Sequence, residues 1–209
     1  MTNEDVPELQ SIWDEARASV EQGDHDKAIE IYRYILIRYS DQPIAVESAN
    51  AYLGDIFLKL RKLDDAEKHI KKAIILNPHE AGYHYILGFI YSIERRWSEA
   101  IPEFEKALEK DPGNGEYLRG LGWAIYSSGD VARGLSCLEQ ATQLQPLNVN
   151  IVTDLAVAYF SSLNVRKAAE YAEKAVLIDP TNAVAQDVLR KVRSFNKGFR
   201  RRDNPTERA

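Results

Sequence analysis

Four short stretches end on proline at a fixed step. LNP (76–78), KDP (110–112), LQP (144–146) and IDP (178–180) each follow an amphipathic run, so Pro78, Pro112, Pro146 and Pro180 recur every 34 residues. A period of that length marks a repeat array rather than a single globular core. Other columns keep the same phase. Gly54, Gly88, Gly122 and Ala156 are spaced by 34, as are Leu53, Leu87, Leu121 and Leu155. Ala66, Ala100, Gly134 and Ala168 repeat the step, and so do Ala73, Ala107, Ala141 and Ala175. Pro43 lies 35 residues before Pro78, and Ala28 lies 38 before Ala66, so the first repeat is longer than the rest.

Within a repeat the apolar spacing is helical. Leu53, Ile56, Phe57 and Leu60 fall on one helix face, RKLD (61–64) breaks the pattern, and Ala66, Ile70, Ala73 and Ile74 resume it. Proline cannot donate to the helix ladder and pushes the preceding residue out of the α region, so it closes each repeat. Gly or Ala lets two helix backbones approach where a leucine would hold them apart. The four extra residues of the first repeat equal about one helical turn, which we place in the helix ending near YILIRYS (34–40). Pro102 falls about one turn into a predicted helix, at the limit where proline is tolerated.

These columns resemble the tetratricopeptide repeat. The resemblance rests on the 34-residue period, the Leu-Gly pair, the following aromatic (Phe57, Tyr91, Tyr159), the mid-repeat alanine and the closing proline. It covers about residues 9 to 182. The fourth repeat departs with Ile125 and Gly134, and the first has Glu15–Ala16 where Leu-Gly is usual. The resemblance implies an all-α fold, an α-solenoid of five helix-turn-helix repeats wound as a right-handed superhelix with a C-terminal capping helix. The expected organisation is a flexible N-terminus at 1–8, then repeats at 9–45, 46–80, 81–114, 115–148 and 149–182. A capping helix at 183–199 and a basic disordered tail at 200–209 follow. In the cap, Val184, Val188, Val192, Phe195 and Phe199 follow helical steps, with Asn182 as N-cap.

In this family the first helix of each repeat lines a concave groove. Its columns place Trp13, Asp14, Tyr52, Asp55, Tyr85, Ile86, Phe89, Arg119, Trp123, Asp154 and Val157 there, with Tyr126 and Phe160 one turn further along. The stretch YHYILGFIY (83–91) thus divides: Leu87, Gly88 and Tyr91 belong to packing columns, with Tyr83 and Ile90 between helices, and Tyr85, Ile86 and Phe89 to the groove. Aromatics supply large contact area at low entropic cost, and a contiguous apolar patch marks an interaction site. The alternative is that Phe89 and Trp123 fill space between neighbouring helices. A chaperone-binding subclass grips a C-terminal carboxylate with Lys, Asn and Arg, but the matching columns here hold Ala51, Asp55, Ile86, Glu116 and Gly120. The groove charges, Asp14, Asp55, Asp154 and Glu116 against Arg17 and Arg119, suit an apolar protein or peptide segment with Lys or Arg nearby.

Residues 190–209 hold eight Lys/Arg and two Asp/Glu, a net of +6; the other 189 residues hold 19 and 30, a net of −11. The acidic body argues against nucleic-acid binding, which needs a basic surface. The tail could still meet acidic lipid, nucleic acid or protein through Arg200, Arg201 and Arg202. No apolar run reaches the roughly 18 to 20 residues of a membrane span. The acidic start MTNEDVPELQ lacks the form of a secretory signal, which points to the cytoplasm. Cys137, the single cysteine, excludes an internal disulfide. His25, His69, His79 and His84 stand outside metal-ligand spacing, no glycine-rich phosphate loop is present, and no metal, cofactor or catalytic residue is expected. The expected function is a non-catalytic scaffold or adaptor holding a partner segment in the aromatic groove. A self-assembling homo-oligomer, or an adaptor acting through the basic tail, are the alternatives.

Overall fold

Alternating runs of helix formers and turn residues give eleven helices and no strand among the described residues. The computed structural model describes residues 5–203, and side chains from residue 8 to 196. The chain divides into two compact units, residues 1–110 and 111–209.

The N-terminal unit holds α1 (Asp5–Glu21), α2 (His25–Arg38), α3 (Pro43–Lys59), α4 (Leu63–Leu76), α5 (Ala81–Ile93) and α6 (Trp97–Lys110). Each helix packs on its successor through α5·α6, and α3 also meets α5. The α1 start lies inside the segment expected to be flexible. The core here is Ala28, Tyr32, Ile35, Leu53, Ile56, Ile70, Ile90 and Phe104, all nearly solvent-free. Small residues sit where helices cross. A Cβ on Gly88 would stand 3.0 Å from the Phe104 ring, and one on Gly54 would overlap Ile70. His84, also buried, bonds Glu103 at 2.7 Å and the Pro78 carbonyl at 3.2 Å.

The C-terminal unit holds α7 (Gly115–Ser128), α8 (Val131–Leu144), α9 (Val149–Ser161), α10 (Val165–Ile178) and α11 (Ala183–Asp203). Its pairs stack in the same way, α7·α8, α8·α9 and α9·α10, and α11 covers α9 and α10. Leu138, Leu155, Tyr159, Ala168, Ala172, Val188, Leu189 and Val192 form the core. Asn114, Asp130, Asn148 and Asn164 each cap a helix by accepting backbone N–H bonds. Asn182 does the same for α11, accepting from the Ala185 amide at 2.9 Å.

Three expectations need correction. The extra turn of the first repeat is not in α2, which has 14 residues like α4, α6, α8 and α10. It lies at the start of α3, which has 17 residues against 13 in α5. Counted from Pro43, Gly54 is the twelfth residue of α3; counted from Ala81, Gly88 is the eighth of α5. Pro43 occupies the first helical position, where its missing N–H costs nothing, so it opens a helix instead of closing one. Second, the packed face of α11 is Ala185, Val188, Leu189 and Val192. Val184 is 64% exposed and Phe195 42% exposed, while the Phe199 side chain lies outside the described residues. Third, α11 continues past Phe199 to Asp203, so part of the segment expected as tail is helical; 204–209 lie outside the described residues. Pro102 leaves α6 unbroken.

Candidate interaction faces

Three helices of the N-terminal unit converge on one aromatic cluster. Trp13 of α1, Tyr32 of α2 and Tyr52 of α3 have ring centroids 5.1 to 5.8 Å apart, with Tyr32 and Tyr52 parallel. Tyr32 is fully buried and its hydroxyl has no hydrogen-bond partner among the described residues. Burial pushes its phenol up to about 12, so the ring acts as an apolar floor. Tyr52 stays 41% exposed above it. Beside the pair opens a cavity of about 690 Å³, walled by Trp13 and Arg17 from α1 and by Pro43, Ile44, Ser48 and Tyr52 from α3. The added turn of α3 supplies Pro43, Ile44 and Ala45 to this wall.

Further along the same unit, Tyr85 and Phe89 of α5 stack at 6.5 Å, and Tyr85 leans on buried Phe104 at 5.7 Å. Phe89 is 43% exposed and Ile86 is half-buried. Asp14 is paired with Arg17, and Asp55 with Lys59 at 2.7 Å.

In the C-terminal unit Arg119 bridges two carboxylates. Its Nε donates to Glu116 at 2.8 Å and its Nη1 to Asp154 at 2.7 Å, and Asn148 donates to the other Glu116 oxygen at 2.8 Å. Trp123 and Tyr126 meet edge to face at 5.5 Å. The Tyr126 hydroxyl reaches the Ala158 carbonyl at 3.3 Å and Ser162 at 3.2 Å, which ties α7 to α9. Phe160 meets Phe195 of α11 at 5.5 Å. Trp123, Tyr126, Val157 and Phe160 are half-buried against the core of this unit, a more recessed setting than that of Phe89.

The named residues therefore fall into two sets. Trp13 and Tyr52 share a cavity, and Tyr85 shares a stack with Phe89. Arg119 and Asp154 share an ion pair, while Trp123, Tyr126, Val157 and Phe160 line a half-buried strip. The charges differ from expectation in one respect: Asp14, Asp55 and Asp154 each hold a cation of the chain itself. In the Glu116–Arg119–Asp154 trio two carboxylates share one cation, which leaves an excess negative charge there. Sequence reasoning missed the wall residues Leu9, Gln10, Ile44 and Ser48. Ser48 lies one turn before Tyr52 in α3, and the 38-residue step from Ala28 to Ala66 was the signal of that added turn. Among the described residues no cluster of His, Cys, Asp or Glu could hold a metal, and no helix is long and apolar enough to cross a membrane.

A family model described as tetratricopeptide repeat matches residues 52–114, 94–135 and 120–183. Solved structures share the fold. YrrB, a tetratricopeptide repeat protein with an unusual peptide-binding site, is 21% identical, with 82% of this chain and 87% of that chain covered and a TM-score of 0.62. MamA from Desulfovibrio magneticus is 16% identical, with 83% and 96% covered and a TM-score of 0.71. PilF from Pseudomonas aeruginosa is 21% identical, with 75% and 72% covered and a TM-score of 0.66. No curated protein matches the chain.

Proposed function

Because the chain belongs to the tetratricopeptide repeat family, we propose that it is a non-catalytic scaffold that holds an extended or helical segment of a partner protein on its aromatic faces. The observation that carries this reading is the cavity beside Trp13 and Tyr52. A concave, mostly apolar site with a few convergent polar groups is where ligands bind. Here Trp13, Tyr52 and Ile44 offer apolar surface, and Arg17, Ser48 and Gln10 offer hydrogen bonds at its margin. Tyr85 and Phe89 extend the apolar surface within the same unit. Trp123, Tyr126, Val157 and Phe160, with Asp154, offer a second strip in the C-terminal unit. YrrB, similar in fold, has a peptide-binding site, which supports the same class of ligand here.

The partner segment is apolar. A single Lys or Arg in it would meet the excess negative charge of the Glu116–Arg119–Asp154 trio, while the other groove carboxylates are already paired. The test begins with a displayed library of random peptides panned against the wild-type chain. A selected peptide is then titrated against the Tyr52→Ala variant. Truncating an interface anchor costs about 2 kcal/mol, close to a thirtyfold loss of affinity. Failure to enrich any sequence, or equal affinity for Tyr52→Ala and wild type, overturns the assignment of this face.

A further inference from the structure

The first helix pair of the N-terminal unit and the last helices of the C-terminal unit carry grooves of opposite charge. Among the described residues α1 and α2 have a neighbouring helix on one side, α3, and α11 is the last helix laid on α9 and α10. At the start, α2 buries Ala28, Ile29, Tyr32 and Ile35. Its other side, with α1, frames a groove of about 580 Å³. The groove is lined by Ile12, Ile31 and the half-exposed Tyr34, and edged by Glu8, Glu15 and Glu30. Lys27 offsets only Glu15. In the C-terminal unit, α10 and α11 frame a groove of about 400 Å³ lined by Val176 and Leu189 and edged by Arg190 and Arg193. Three exposed cations on this stretch of α11 are paired with two carboxylates, Arg190 and Lys191 with Asp187 and Arg193 with Glu173, which leaves an excess of one positive charge. The wider charge pattern has the same sense, +6 over residues 190–209 and −11 elsewhere.

We propose that the occupant of each end groove is a second copy of this chain, joined head to tail. Arg190 and Arg193 of one copy meet Glu8 and Glu30 of the next, while Ile12, Ile31 and Tyr34 pack against the α10–α11 groove. Opposite charge sets register and speeds encounter, and the apolar floor supplies the area. Such a contact joins two different surfaces, so every added copy leaves one free end of each kind and growth continues until a ring closes. Neither end contains Trp13, Tyr52, Tyr85 or Phe89, so partner binding and assembly are separable.

The experiment is sedimentation velocity on the full chain from micromolar to submillimolar concentration, at low and at high salt. The mean mass rises to about twice that of one chain or more with concentration, because each contact adds a whole copy, and falls back when salt screens the ends. A double reversal at the basic end, Arg190→Glu with Arg193→Glu, leaves a monomer. So does Glu8→Lys with Glu30→Lys at the acidic end. Far-ultraviolet circular dichroism checks that both variants remain helical. Mixing the two restores assembly, since each then offers the end the other lacks. A wild-type mass independent of concentration overturns the proposal. So does assembly that survives either reversal, or a mixture that stays monomeric; in these cases the grooves serve another ligand or none.

Discussion

At the scale of single residues, the turn inside each repeat shows a column hidden from sequence. Gly23, Arg61, Arg95, Gly129 and Leu163 all have positive φ, at 78°, 60°, 59°, 111° and 61°. They end the first helix of each repeat, and in four of the five the next amide reaches back to close it. The Lys62, Arg96 and Asn164 amides donate to the Phe57, Tyr91 and Tyr159 carbonyls at 2.9 Å. Only two of the five are glycine, so composition gave no sign of the shared left-handed backbone. A side chain costs about 1–2 kcal/mol in that region, against roughly 0.5–1 kcal/mol of extra chain entropy for glycine. Leu163 is 74% exposed and loses little packing. Leu163→Gly is expected to raise stability by about 0.5–1 kcal/mol. Gly129→Ala, in the same column, is expected to lower it. Urea unfolding of both variants checks the pair of signs.

His69 supplies a pH dependence. Burial, reinforced by Lys72 and Lys68, holds its pKa down at about 4, below the ordinary 6.5. Its Nδ1 bonds Asn50 Oδ1 at 2.8 Å. The unfolded chain therefore takes up a proton that the fold refuses. Stability falls as pH drops from about 6.5 toward 4, and is retained above that window. The shift sets an upper limit of about 3 kcal/mol, which solvent at the ring reduces. His69→Gln is expected to lose less stability than wild type between pH 7 and pH 4.5 in paired urea titrations. An identical loss in both proteins would remove His69 from the account.

At the scale of elements, the period made the helices and their pairing legible because every repeat reuses one solution to close packing. The period showed that the first repeat is longer, but not which of its helices carries the added turn. The expected turn in α2 went to α3 because a proline at a helix start reads the same, in one dimension, as a proline after a helix end. On α11 the expected Val188 and Val192 are packed, but Ala185 and Leu189 complete the face in place of Val184 and Phe195, a choice that only packing on α9 and α10 makes. Gly134 has a physical reason that the column of alanines concealed. A Cβ there would lie 2.6 Å from the Tyr126 backbone nitrogen, closer than any real contact, so α7 and α8 cross more tightly at this point than alanine permits. Gly134→Ala, harmless by analogy with Ala66, Ala100 and Ala168, is expected to cost about 1–3 kcal/mol by forcing backbone apart. A thermal melt decides: an unchanged midpoint would mean the helices separate freely.

At the scale of the molecule, fold class was readable from four columns of small and apolar residues, but the character of the interaction faces was readable only in part. Of the aromatics that the columns named, Tyr52 and Phe89 stand in the open, and Trp123 and Tyr126 are half-buried. The charges were not legible, since pairing of Asp14, Asp55 and Asp154 with Arg17, Lys59 and Arg119 depends on rotamers. The central claim is that the open aromatics serve a partner and not the fold. Phe89→Ala and Leu87→Ala, two positions apart on α5, separate these roles when each variant gives both a urea unfolding curve and a titration with a peptide selected against wild type. Leu87 is nearly solvent-free, and its truncation is expected to cost the fold about 2–5 kcal/mol. Phe89→Ala is expected to cost the fold less than that and to weaken peptide binding by about thirtyfold. The contrary result, Phe89→Ala as destabilising as Leu87→Ala with full affinity in the folded fraction, would make the aromatic stripe part of the core and leave the groove without its anchor.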